Sequence, residues 1–112
     1  MTSAPQRVFL RGRDHHRIGA LAIEGLGPAA AALSRGGARK TYDHTDPNED
    51  CAAFALGEGG QLLIAADGHH GALGSEAATH ALLSEFGARF TGAIPPTTRP
   101  DAWRELAFDA LL

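Results

Sequence analysis

The chain has 112 residues, a net charge of -3, 44% hydrophobic and 21% charged residues, and a single cysteine. This is one domain's worth of globular composition, and its weakly acidic balance excludes nucleic-acid binding by bulk charge. One cysteine excludes an internal disulfide and fits a reducing cytoplasm, and the longest apolar run, Cys51 to Leu56, is too short for a membrane-spanning helix.

Residues 1–38 read as a loose, polar leader with a short strand at Val8-Phe9-Leu10 and a short helix. Ile18 to Glu24 alternates weakly and reads as a strand. Gly25-Leu26-Gly27-Pro28 breaks it, and Ala29 to Leu33 reads as one or two helical turns ended by Gly36-Gly37. Asp46-Pro47-Asn48 signals a turn. Cys51–Leu56 and Leu62–Ala66 are apolar runs separated by the glycine-rich stretch Gly57-Glu58-Gly59-Gly60, the pattern of an antiparallel hairpin. A helix is expected after Gly71. Ser75 and Glu76 stand at its start, and Ala77, Ala78, Ala81, Leu82 and Phe86 form an apolar stripe at helical spacing. Ile94-Pro95-Pro96-Thr97-Thr98 is a linker. Pro100 and Asp101 open a last helix whose stripe is Trp103, Leu106, Ala107, Ala110 and Leu111. That stripe needs a partner surface, and with 22 alanines thinning the core, self-association is expected.

Charge is uneven: residues 1–46 carry seven Lys/Arg against four Asp/Glu, and residues 47–112 carry three against nine. The predicted hairpin brings the start of its first strand beside the end of its second. Glu49, Asp50 and Asp67 are therefore expected within a few ångströms of one another. Clustered carboxylates repel unless a cation or protons neutralise them, and oxygen-only ligands suit Mg²⁺ or Mn²⁺. Gly68 permits a tight turn that offers its carbonyl. The plainer reading of the same acids is that they cap turns and face water. His15 and His16 read as solvated, His80 as exposed, and Cys51 as a small buried residue. No CxxC, HExxH or Walker sequence is present.

Asn48-Glu49-Asp50, a strand, a glycine turn, a strand ending Ala66-Asp67-Gly68-His69-His70-Gly71, and then Gly74-Ser75-Glu76-Ala77-Ala78 resembles the N-terminal part of the type 2C metal-dependent protein phosphatases. The resemblance covers roughly residues 40–90, and makes residues 39–112 the N-terminal part of such a domain. It implies an α+β fold in which antiparallel β-sheet is flanked by helices, a partial version of the two-sheet phosphatase sandwich. It also implies a binuclear Mn²⁺ or Mg²⁺ site and phosphoserine or phosphothreonine protein substrates. Within it, Asp67 would bridge the metals, Gly68 would give its carbonyl, and Glu49 and Asp50 would bind directly or through water. His69 would protonate the leaving oxygen, a role that suits a side chain titrating near neutrality. Three features depart from the family. Thr45 stands where the family carries a phosphate-gripping arginine, with Arg39, Lys40 and His44 as the nearby cations. His70 stands in place of a glycine. Asp101 and Asp109, the aspartates after Asp67, fall on the last predicted helix instead of at strand ends. A truncated or degenerate phosphatase is therefore expected, and the alternative is a non-catalytic module that keeps the sheet and helix as a binding surface.

Overall fold

A computed structural model describes residues 5–36, 48–69, 71–92 and 100–111. Strands β1 (Gln6–Arg11), β2 (Leu21–Leu26), β3 (Ala29–Ser34), β4 (Cys51–Gly57) and β5 (Gly60–Ala66) precede helices α1 (Leu73–Ala81), α2 (Gly87–Thr91) and α3 (Pro100–Leu111). A 3₁₀ turn, Gly12–Asp14, follows β1, and a π-helical stretch, Leu82–Phe86, joins α1 to α2. The fold is α+β: one antiparallel sheet of order β1-β4-β5 and a separate β2–β3 ribbon. Among the described residues no helix is long and apolar enough to cross a membrane.

The hairpin expected between Cys51 and Ala66 is β4–β5, in register from Cys51↔Ala66 to Gly57↔Gly60. The leader is less loose than its polarity suggests. Gln6–Arg11 pairs along the other side of β4, from Gln6↔Leu56 to Arg11↔Cys51, so β4 is the central strand. Side-chain alternation then sorts the two faces. Val8, Leu10 and Phe54 turn toward Ala31 and Leu33 of the ribbon and form one core. Ala53 and Ala55 turn the other way, toward Leu83, with Phe9, Leu62 and Ile64 around them. The layers are ribbon, sheet and helix.

Two expectations are corrected. Ala29–Leu33 is not helical but forms β3, paired with β2 from Leu21↔Ser34 to Leu26↔Ala29. Alanine's helix preference is only a few tenths of a kcal/mol per residue over most residues, and period-two burial of Ala31 and Leu33 outweighs it. The break at Gly25–Pro28 is the ribbon's turn, with Gly27 at φ +56, a left-handed conformation glycine adopts freely. The strand before it runs Leu21–Leu26, later than Ile18–Glu24, and leaves Leu21 and Ile23 exposed.

The second correction concerns the helix face. Ala77 and Ala78 of the expected stripe are exposed. The buried residues are Ser75, Thr79, Leu83, Gly87 and Thr91, one every four positions. The strand beneath explains this. β4 presents only Cys51, Ala53, Ala55 and Gly57 on that side, so the helix approaches closely at its ends and at Gly87, while Leu83 fills the space over Ala53 and Ala55. A Cβ on Gly57 would collide with the carbonyl of Thr91, and one on Gly87 would already touch Ala55 Cβ at 3.8 Å. The buried hydroxyls satisfy themselves by bonding back one turn. Thr79 Oγ1 donates to the Ser75 carbonyl at 2.7 Å and Thr91 Oγ1 to the Gly87 carbonyl at 2.7 Å.

α3 covers the last expected helix. Of its stripe, the side chains of Trp103, Leu106, Ala110 and Leu111 lie outside the described residues, as do Arg39, Lys40, His44, Thr45, His70 and the linker Ile94–Thr98. Arg89 Nη2 donates to Asp109 Oδ2 at 3.3 Å.

Phe54 is 1% exposed and joins both sheets, whereas Leu63 on the edge strand β5 is 66% exposed. Phe54→Ala should cost about 3–5 kcal/mol in urea denaturation, and Leu63→Ala less than about 0.5 kcal/mol. Equal losses would remove Phe54 from the centre of the core.

Candidate functional site

The register of β4 and β5, carried one step past Cys51↔Ala66, sets Asp50 opposite Asp67 at one end of the sheet. The 3₁₀ turn after β1 comes to the same end, where the Gly12 N–H donates to the Asp50 carbonyl at 2.8 Å. A Cβ on Gly12 would collide with the carbonyl oxygens of Asn48 and Asp50, so only glycine fits there. Buried Asn48 ties in the ribbon. Its Nδ2 lies 3.4 Å from the His15 and Ser34 carbonyls, and its Oδ1 accepts the Asp50 N–H at 3.2 Å.

Glu49 and Asp50 are used to hold the loop after β5. Glu49 Oε1 accepts the Gly71 N–H at 2.9 Å, and Asp50 Oδ1 accepts the Gly68 N–H at 3.3 Å. Gly68 is wedged in place: a Cβ there would collide with the Glu49 carbonyl and lie 3.1 Å from Ser75 Oγ. Ser75 Oγ donates to the Glu49 carbonyl, and Cys51 Sγ lies 3.6 Å from Ser75 Oγ. Asp67 and His69 are exposed on this loop. Asp50, Asp67 and Gly68 share the sheet end, while the carboxylate of Glu49 is directed to Gly71.

The donor chemistry decides what these residues hold. Mg²⁺ needs a near-octahedral shell of about six oxygens. Asp67 and the Gly68 carbonyl supply only part of one shell, and the carboxylates of Glu49 and Asp50 are engaged by the amides of Gly71 and Gly68. Among the described residues no three His, Cys, Asp or Glu side chains form a group able to hold a metal ion. These residues do not fit a binuclear centre.

Sequence reasoning did not find Arg13. Its Nε donates to Glu76 Oε1 at 2.5 Å, and its Nη2 donates to Glu76 Oε2. The Glu76 side chain is only 12% exposed, that of Arg13 47%. Hydrogen bonds from Arg13 hold the Glu76 carboxyl below the usual range, against the opposing effect of its burial. Hydrogen bonding to Glu76 correspondingly raises the Arg13 pKa. The two residues are 63 positions apart. The only signal in the sequence was the basic cluster from Arg7 to Arg17, opposite in sign to the first turn of α1. Beside the pair, a groove of about 310 Å³ runs between β1 and α1, lined by Phe9, Arg11, Leu73, Glu76, Ala77 and His80.

Comparison with known protein families, with curated proteins and with solved structures finds no match to this chain.

Two predictions follow from this geometry. Gly68→Ala should lose about 1–3 kcal/mol in urea denaturation through forced overpacking, and an unchanged midpoint would contradict the wedge. Because the folded-state pKa of Glu76 is depressed, its stabilisation is complete above the unfolded value of about 4.3 and is lost as pH falls through the folded value. The difference in urea midpoint between the wild type and Glu76→Gln should therefore be constant at neutral pH and close in acid. A difference that persists at pH 2 would mean the charge is not its source.

Proposed function

We propose that the chain carries one end of a type 2C-like serine/threonine phosphatase site, which recognises phosphoserine or phosphothreonine esters in proteins. The supporting observation is the meeting of Asn48-Glu49-Asp50 with Asp67-Gly68-His69 at the end of β4 and β5, clamped by the amide bonds of Gly68 and Gly71. Asp67 and the Gly68 carbonyl are the groups that would hold a single Mn²⁺ or Mg²⁺ ion, and weakly, since the shell is incomplete. His69 is the proton donor to the leaving oxygen. Arg13 takes the phosphate, the part that Thr45 leaves vacant in the sequence pattern. Its neighbour Gly12 is bonded to Asp50, and its partner Glu76 follows Ser75 at the site. Hydrolysis by this family's chemistry needs a hydroxide shared between two metals, and this ligand set is short of that.

A non-catalytic phosphoester-binding module is the second reading. It is favoured by the engagement of Glu49 and Asp50 with loop amides, which gives both carboxylates a structural use.

Calorimetry with Mn²⁺ should show weak binding by the wild type and none by Asp67→Asn; equal heats would remove Asp67 from the site. The 112-residue chain should hydrolyse p-nitrophenyl phosphate negligibly in millimolar Mn²⁺. Metal-dependent turnover that disappears in both Asp67→Asn and Glu49→Gln would overturn this and establish a complete catalytic centre.

A further inference from the structure

We infer that Glu76 is a positioning residue, which fixes the guanidinium of Arg13 so that its remaining edge is preset for an oxyanion of a phosphate monoester. This rests on the phosphoester reading above. A guanidinium presents five N–H donors in a rigid plane and so has more than one bonding edge. Glu76 occupies the side edge, through Nε and Nη2. The end formed by Nη1 and the second Nη2 proton lies outside that pair, on a side chain that is half exposed. Two parallel N–H bonds from such an end match two oxygens of a phosphate group.

The anchorage is unusually complete for an arginine near the surface. The backbone on one side of Arg13 is tied to the site by the Gly12–Asp50 bond. The His15 carbonyl lies 3.4 Å from Asn48 Nδ2. Glu76 is mostly buried in the first turn of α1, next to Ser75, whose hydroxyl is bonded to Glu49. Fixing the long side chain in advance removes rotamer entropy that a free arginine would lose on binding. In sequence, Arg13 is flanked by Arg11 and Arg17 with one acid, Asp14, between them, and Asp14 is paired with Arg11 at 3.3 Å.

The two ways Glu76 can act make opposite forecasts. If it were only a nearby negative charge, it would repel phosphate, and Glu76→Gln would bind more tightly. As a positioning residue its loss frees the arginine, and binding weakens. The probe is phenyl phosphate in metal-free buffer at neutral pH, followed by ³¹P NMR, with phenol as the control. Arg13→Ala and Arg13→Lys should each weaken binding about tenfold or more, the scale of one charge-assisted fork. Glu76→Gln should weaken it by a similar factor, and the Arg13 Nε–H resonance should lose its sharp, shifted signal. Equal or tighter binding by Glu76→Gln, or wild-type affinity in Arg13→Lys, would overturn the inference. If Glu76→Gln does not fold, the wild type still decides: phenyl phosphate must perturb the Arg13 Nε–H resonance and phenol must not. Silence in this phosphate arm, with Asp67-dependent Mn²⁺ heat intact, sinks the inference and leaves the phosphatase-like reading. Phosphate binding at Arg13 without that heat does the reverse.

Discussion

The close seating of one helix on one strand governs this molecule. From Ser75 to Thr91 the helix meets β4 through residues spaced by four, and β4 answers with residues spaced by two. Four helical residues rise ~6.0 Å and two strand residues ~6.8 Å, and the five helix residues from Ser75 to Thr91 pass over the four strand residues from Cys51 to Gly57. Small side chains fill both rows except at Leu83, which packs on Ala53 and Ala55. The hydroxyls of Thr79 and Thr91 can be buried because each bonds to the turn before it. The cost of burying a polar group is thereby met within the helix, and the sheet need supply no partner.

The candidate site is what this seating leaves at one end. Ser75 stands where the helix row meets Cys51, and its hydroxyl reaches the backbone of Glu49. Glu76, the next residue, leaves the contact row and reaches Arg13 in the 3₁₀ turn after β1. The loop after β5 is fixed by Glu49 and Asp50, which are thus as much a part of the scaffold as of any ligand shell. Both carboxylates are thereby engaged by the loop they hold. They leave too few oxygens for a pair of cations. Arg13 and Glu76 answer a separate need, that of holding a positive group at a set angle near the same loop.

How much of this was legible in the sequence depended on the signal each element carries. The β4–β5 hairpin was legible, because two apolar runs around a glycine turn leave few alternatives. So was the approach of Asp50 to the loop after β5, where its carboxylate accepts the Gly68 N–H. β3 was not, since an alanine run has no strong period and reads as helix until a partner strand is known. The buried face of α1 was misread for a related reason. Hydrophobicity picks out Ala77, Ala78 and Leu82, but the row that meets the strand is Ser75, Thr79, Leu83, Gly87 and Thr91, and of these only Leu83 is hydrophobic. The Arg13–Glu76 pair joins residues from opposite ends of the fold, and no local pattern encodes such a contact.

The π-helical stretch Leu82–Phe86 bears on how chain length can vary in this fold. A strict spacing of four drifts ~40° per step around an α-helix, or ~160° from Ser75 to Thr91. One wide turn with i→i+5 bonding absorbs a residue and brings the drift down to about 60°. The stretch is therefore equivalent to a one-residue insertion held between two fixed ends. A sequence shorter by one residue here closes as a regular α-helix with Ser75 and Thr91 still over Cys51 and Gly57. A sequence longer by one has no second wide turn to take it up. A deletion in this segment thus keeps the helix row over β4, while an insertion turns Gly87 off Ala55 and brings a larger side chain down onto the strand.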